Sequence, residues 1–209
     1  MATFGSTITR ILSDLNRGDI SDRAKTAIVE AIDFYAARRF AFNTTRSSTS
    51  TQTAVEYISL PTNWVELDYL RLEEDGNQTT VLDEKNTDWM DERGTGSADL
   101  GEPVAYAISQ RSLRLWPIPD ASYSIQLSYQ CLLPEVSISA SADATNAWLT
   151  EGFQVIYNHA MADLLGTYIR GDEAIAGAAV HQEREQYAVR ELERRANREQ
   201  GTGHLRGCL

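Results

Sequence analysis

Cysteine is scarce in this chain. Cys131 and Cys208 are the two present. Two are too few for a disulfide framework, and reduced cytosolic thiols are the simpler reading. Long apolar runs are missing as well. Nothing approaches the roughly 20 consecutive apolar residues that a membrane helix needs. The opening stretch MATFGSTITRILSDLNRGD is broken by polar residues every few positions, so no apolar core of signal-peptide length is expected there. Asn43-Thr44-Thr45 and Asn77-Gln78-Thr79 match the glycosylation spacing, but without a secretion signal the match reads as coincidence. Positive charge is in deficit: 19 Lys and Arg face 30 Asp and Glu, for a formal net charge of -11. A protein that grips duplex DNA through its phosphates carries the opposite balance.

Signatures of ready chemistry are absent too. Gly94-Thr95-Gly96 lacks the rest of any phosphate-loop fingerprint. No Gly-x-Ser-x-Gly elbow and no Cys-centred nucleophile pattern occurs. Of the 3 histidines, His159 stands four residues before Asp163 and His181 four before Glu185. Such pairs share a helix face, but a metal site needs further ligands that the sequence does not supply. Neither a metal nor a cofactor is therefore expected. Glu73/Glu74 and Asp91/Glu92 could be drafted as hydrolase carboxylates, yet adjacent side chains point apart and these runs read as solvated faces.

What is present is periodicity. Ile8, Ile11, Leu12 and Leu15 repeat at helical spacing, with Ser6 as a plausible N-cap. Arg17-Gly18-Asp19 ends that helix. A second helix is expected from Ser21 to about Phe40, with Ala24, Ala27, Ile28, Ala31, Ile32 and Tyr35 on one face. The tract Thr44–Thr53 holds no apolar residue and reads as a linker.

After it the period changes to two. Strands are expected at Ala54–Leu60, Trp64–Leu72, Val104–Ser109, Leu113–Trp116 and Tyr123–Cys131, and a short helix at Asn86–Arg93. In the last strand Tyr123, Ile125, Leu127 and Tyr129 alternate with Ser124, Gln126, Ser128 and Gln130, the mark of a half-buried antiparallel strand. Trp64, Trp89, Trp116 and Trp148 mark where this segment and its return joint pack. Helical spacing then resumes through Phe153, Ile156, Tyr157, Ala160, Met161, Leu164, Leu165 and Tyr168. A second Arg-Gly-Asp triplet at 170–172 ends that helix. A last one runs from about Glu173 to Arg198, where Glu191 is placed to pair with Arg194 and Arg195.

The fold class expected is α+β: an antiparallel bundle of about four helices carrying an inserted antiparallel β-rich unit. The expected division is an N-terminal helical pair at 1–48, the β-rich acidic insert at 49–146, a C-terminal helical pair at 147–200 and a tail at 201–209. Residues 1–50 hold seven Lys/Arg and five Asp/Glu, 51–150 hold five and sixteen, and 151–209 hold seven and nine. The insert therefore carries essentially all the net charge. Solubility alone would explain that; so would a surface that repels an anion or meets a basic partner.

Besides the alternating strand Tyr123–Tyr129, four stretches of the insert and its joint resemble the tailed-phage head-to-tail adaptor proteins, the connector or tail tubular protein A-like family. They are Ser59-Leu-Pro-Thr-Asn-Trp-Val-Glu-Leu-Asp68, Gly101-Glu-Pro-Val-Ala-Tyr-Ala107, Leu113-Arg-Leu-Trp-Pro-Ile-Pro-Asp120 and Thr145-Asn-Ala-Trp-Leu-Thr150. The match is spread over roughly residues 20–190. The resemblance implies a structural virion subunit and not an enzyme. It implies a homo-oligomeric ring, a dodecamer, docked beneath the portal protein and joined to the tail or nozzle protein. Genomic DNA would pass through its lumen without tight binding. The site would be the head–tail interface of the virion, with the host cytoplasm as the place of assembly and no membrane involved.

The same resemblance places the portal contact at the C-terminal helix and tail: Arg190, Arg194, Arg195, Arg198, His204, Leu205, Arg206 and Leu209. It makes Glu73, Glu74, Asp75, Asp91, Glu92 and Asp99 candidates for a lumen wall or a tail-facing surface. Two other readings stand beside it. One is a virion-associated hydrolase of cell-wall glycan using insert carboxylates. The other is a carbohydrate- or peptide-binding β module on a helical stalk.

Overall fold

The structure, a computed structural model, describes residues 1–73, 79–93 and 100–201. Its elements run α1 (Phe4–Asp14), α2 (Ser21–Ala36), a 3-10 turn (Ala41–Asn43), β1 (Thr44–Ser50), β2 (Tyr57–Ser59), β3 (Trp64–Glu73), β4 (Thr79–Val81) and β5 (Asp83–Glu84). They continue with α3 (Thr87–Glu92), β6 (Leu100–Gly101), β7 (Ala105–Ser109), β8 (Ser112–Trp116), β9 (Ile118–Pro119) and β10 (Ser124–Cys131). The chain closes with α4 (Ala147–Thr150), α5 (Phe153–Thr167) and α6 (Asp172–Gly201). The class is α+β, helices interrupted by a β unit. The chain forms two compact units: residues 1–43 with 132–209, and residues 44–131.

In the helical unit, the apolar faces of α1, α2 and α5 meet. Phe4, Ile11, Ala27, Ile28, Ala31, Trp148, Val155, Ile156 and Leu164 are all essentially buried and belong to one core. α1 begins earlier than its leucine and isoleucine pattern suggests, because Phe4 is buried and Thr3 caps the helix. Ser6 is the far half of a capping box: its amide donates to Thr3 Oγ1 (3.2 Å) and its Oγ accepts from the Thr3 amide (2.8 Å). The amides of Phe4 and Gly5 donate to the carbonyls of Ala144 and Ala142, both at 2.8 Å. So close an approach requires glycine: a Cβ on Gly5 would lie 2.7 Å from the Ala142 Cβ.

The joint back into helix is built by Asn146. Its Oδ1 accepts from the Leu149 amide, capping α4, while its Nδ2 donates to the Pro134 carbonyl. That geometry seats Trp148 among Phe40, Phe42 and Tyr35, at ring distances of 5.5, 4.9 and 6.3 Å.

In the β unit, one sheet has the order β1-β10-β3-β4 and a second the order β2-β8-β7-β5. All the longer pairings are antiparallel. The two-residue pairs β5/β7 and β6/β9 are parallel. Register places Leu72 opposite Ile125 and Leu70 opposite Leu127, and all four are buried.

Two expectations are corrected here. The polar tract read as a linker is strand β1, paired with β10 from Thr44↔Gln130 to Ser50↔Ser124. A strand needs no apolar residues of its own when its neighbour supplies them. The half-buried Thr45, Ser47 and Thr49 lie opposite Tyr129, Leu127 and Ile125. Second, β10 is not polar-out along its whole length. Ser128 and Gln130 are buried, because β10 is an inner strand with partners on both edges. Asn43, which fits the glycosylation spacing, is buried; it accepts from the Phe40 amide and donates to the Arg38 carbonyl.

Candidate functional site

α6 is the longest helix of the chain, 30 residues, or about 45 Å at the α-helical rise. Its first turn carries Asp172 and Glu173 and its last turn Arg198, each charge complementing the helix dipole. The short connection after α5 turns the chain back. Leu165 lies against Gly177, and Asn158 and His159 meet His181 and Glu185, so the two helices run antiparallel. Small residues set the approach: Ala174 and Ala178 are buried, and a Cβ on Gly177 would sit 3.3 Å from Leu165 Cδ1.

A polar network runs through this interface. Glu185 accepts hydrogen bonds from the Tyr35 hydroxyl and from His159 Nδ1, the latter at 2.7 Å. Burial acts to raise the Glu185 carboxyl, but its bonds from His159 and Tyr35 outweigh that and hold it below the usual carboxylate range. Burial and the Glu185 carboxylate push the Tyr35 phenol well up. His181 Nδ1 meets Asn158 Oδ1 at 2.8 Å, and burial, helped by Arg184, lowers its pKa. The helical pairs His159/Asp163 and His181/Glu185 therefore resolve differently: each histidine bonds across the α5–α6 interface. Among the described residues no group of three or more His, Cys, Asp and Glu could hold a metal ion.

Beyond the network α6 carries four arginines, Arg190, Arg194, Arg195 and Arg198, against Glu191, Glu193 and Glu199. Arg194 Nη2 pairs with Glu191 at 2.7 Å, and Arg195 Nε lies 3.8 Å from it, as the spacing predicts. Arg190, Arg194, Arg195 and Arg198 are all exposed. Arg190 also lines a small cleft with Tyr35, Arg38 and Glu193, where Arg38 and Glu193 are paired. His204, Leu205, Arg206 and Leu209 lie outside the described residues.

Of the acidic candidates, Glu74, Asp75 and Asp99 also lie outside the described residues. Glu73 is half-buried at the end of β3, where Ser124 Oγ (2.8 Å) and Gln126 Nε2 donate to it. Asp91 accepts from Arg114, a buried residue that also donates to Glu56. Glu92 is exposed on α3. Two of these carboxylates are thus engaged within their own unit. Close by, α3 and β8 bring two tryptophans together: the Trp89 and Trp116 rings meet edge-on 5.3 Å apart, and Arg93, just after α3, lies 3.6 Å over the Trp89 ring.

A family model described as SU10 adaptor protein matches residues 2–206. The chain belongs to the SU10 adaptor protein family. That makes it a phage structural adaptor, a class whose members act among other phage head and tail proteins in the virion and are typically not enzymes. No curated protein sequence matches the chain. The match spans both helical segments and the β unit between them, so the adaptor fold includes the α5–α6 interface described above. Among the described residues no helix is long and apolar enough to cross a membrane.

Sequence reasoning missed three features of the adaptor's helical unit: the Tyr35–Glu185–His159 network, the exposed Tyr187, and a groove formed by α2 with residues 135–139. The network joins positions up to 150 residues apart, which no local period reports. Tyr187 did leave a signal, as an aromatic residue in an otherwise charged half-helix.

The network gives the adaptor a pH dependence whose sign follows from the shifts. His181 is lowered when folded, so its contribution to stability is intact above about pH 6.5 and is lost as pH falls below that value. Glu185 is also lowered, so its contribution is intact above about 4.5 and is lost on further acidification. The thermal midpoint of the helical unit should be flat from pH 8 to 7 and fall from pH 7 to 5. His181→Gln should flatten the upper part of that decline. Equal midpoints at pH 7 and 5 would contradict the part given to His181 at its contact with Asn158.

Proposed function

We propose that the protein is a ring-forming head-to-tail adaptor. Copies assemble, as a dodecamer, beneath the portal protein and join it to the tail or nozzle protein. Genomic DNA passes through the lumen without being held. The observation that carries this reading is the family match across residues 2–206. The geometry supports it in two places.

Arg190, Arg194 and Arg198 recur every four residues and so share the outer face of α6, while Arg195 flanks them. An exposed basic helix end of this kind suits an acidic surface on the portal, with His204, Leu205, Arg206 and Leu209 extending the contact. In the β unit, residues 44–131 hold six Lys/Arg against fourteen Asp/Glu. Glu73, Glu74, Asp75, Asp91, Glu92 and Asp99 contribute to this charge. A lumen wall or tail-side surface of that sign lets a polyanion slide past without capture.

The test is co-sedimentation of the full chain with purified portal rings. The wild type is expected to travel with the portal. The triple charge reversal Arg194→Glu, Arg195→Glu, Arg198→Glu should weaken the association about tenfold or more at low salt, with an unchanged helical circular dichroism signal. A wild-type chain that never travels with portal, at any concentration, would remove the reading.

A further inference from the structure

Two surfaces of the helical unit complement each other. The first is a knob on α6. Tyr187 is 72% exposed, and Arg184 and Arg190, three residues before and after it, are exposed on the same side of the helix. The second is a groove of about 600 Å³ between α2 and the segment 135–139. Val29, Val136 and Ile138 give it apolar walls, and Ile138 is half exposed; Asp33 and Glu135 stand exposed at its rim. Neither acid makes an ion pair among the described residues.

Knob and groove cannot meet within one chain. α2 faces α6 through Tyr35, which bonds Glu185, and just past its end Arg38 pairs with Glu193. Asp33 is turned about 160° around α2 from Tyr35 at 3.6 residues per turn. The groove therefore opens on the flank of α2 directed away from α6.

We propose that the occupant of this groove is a second copy of the chain. Tyr187 of one copy fills the apolar groove of the next, and Arg184 and Arg190 meet Asp33 and Glu135. An aromatic anchor flanked by arginines is the composition that dominates protein interfaces, and the rim charges fix its orientation. Because the two surfaces differ, the contact is heterologous and repeats from copy to copy, as a ring requires. The inference rests on the ring reading and adds the surfaces that build it. Arg190 marks the border between this contact and the basic helix end assigned to the portal.

The test uses two full-length variants. One reverses the groove (Asp33→Arg with Glu135→Arg) and the other reverses the knob (Arg184→Glu with Arg190→Glu). Assembly is measured by sedimentation velocity, alone and with portal rings, and folding by thermal melting. Each variant alone presents like charges at the contact and should remain monomeric at concentrations where wild type assembles. An equimolar mixture should assemble, since each variant's knob then matches the other's groove. If either variant alone assembles like wild type, or if two folded variants fail to assemble when mixed, the proposed contact is wrong while the ring reading stands. A wild-type chain that is monomeric under every condition, with portal included, removes both.

Discussion

Arg114→Met is expected to destabilise the β unit by about 3–5 kcal/mol, the usual cost of removing one partner from a buried ion pair. Arg114 lies on β8, and its side chain is 7% exposed. It donates to Glu56 and Asp91, and its guanidinium lies 5.9 Å from the Tyr57 ring centre. Burial works to lower its pKa, but the hydrogen bonds it donates to Asp91 and Glu56 outweigh this, and the net shift is upward. Most of the cost comes from Glu56, whose side chain is 18% exposed and would be left without its partner. Asp91 is 68% exposed on its side chain and would be solvated, so it contributes little. The double variant Arg114→Met with Glu56→Gln should therefore recover a large part of the loss. Hydrogen exchange of the full chain reads this directly. Amides of β7, β8 and β2 should exchange faster in Arg114→Met while those of α5 stay protected. Unchanged protection in β8 would show that the pair is not holding the sheet.

Trp148→Ala should cost the helical unit a comparable amount, about 3–5 kcal/mol for a large aromatic removed from a core. Trp148 is 2% exposed. It packs edge-on against Phe40 and Phe42, and Tyr35 lies beside it. The residues around it cannot close the cavity easily. Gly152 lies against it so tightly that a Cβ there would fall 2.9 Å from the Trp148 carbonyl oxygen. Tyr35 is held in place through Glu185. A lowered urea midpoint for the far-ultraviolet helix signal is the expected result. A midpoint within error of wild type would mean that the joint between the β unit and α5 is not part of the core.

These two sites show what a sequence discloses. α2 and α5 are legible because one apolar face, read at helical spacing, is enough to define each. The strands β7, β8 and β10 are legible because alternation and turn residues bound them. β1 is not, since its stability comes from the side chains of β10 and its own residues are polar throughout. The Trp148 joint is visible as a packing point in Thr145–Thr150, but the Asn146 cap that orients it depends on Pro134, twelve residues earlier.

For the candidate site, the basic end of α6 can be read from arginine spacing alone. The acidic candidates are only partly what they seem in one dimension. Glu73 and Asp91 look like solvated turn or helix charges, yet strand register sets Glu73 beside Ser124, and Arg114 engages Asp91. The groove of Asp33 and Glu135 joins segments about 100 residues apart, and only the folded chain brings them together.

The ring we propose between portal and tail is tested most directly by electron microscopy of purified portal incubated with the full chain. The expected result is an added ring seated coaxially on one face of the portal, with an open central channel. Portal particles that gain no density at saturating chain concentration, or that bind scattered single copies around their rim, would contradict it.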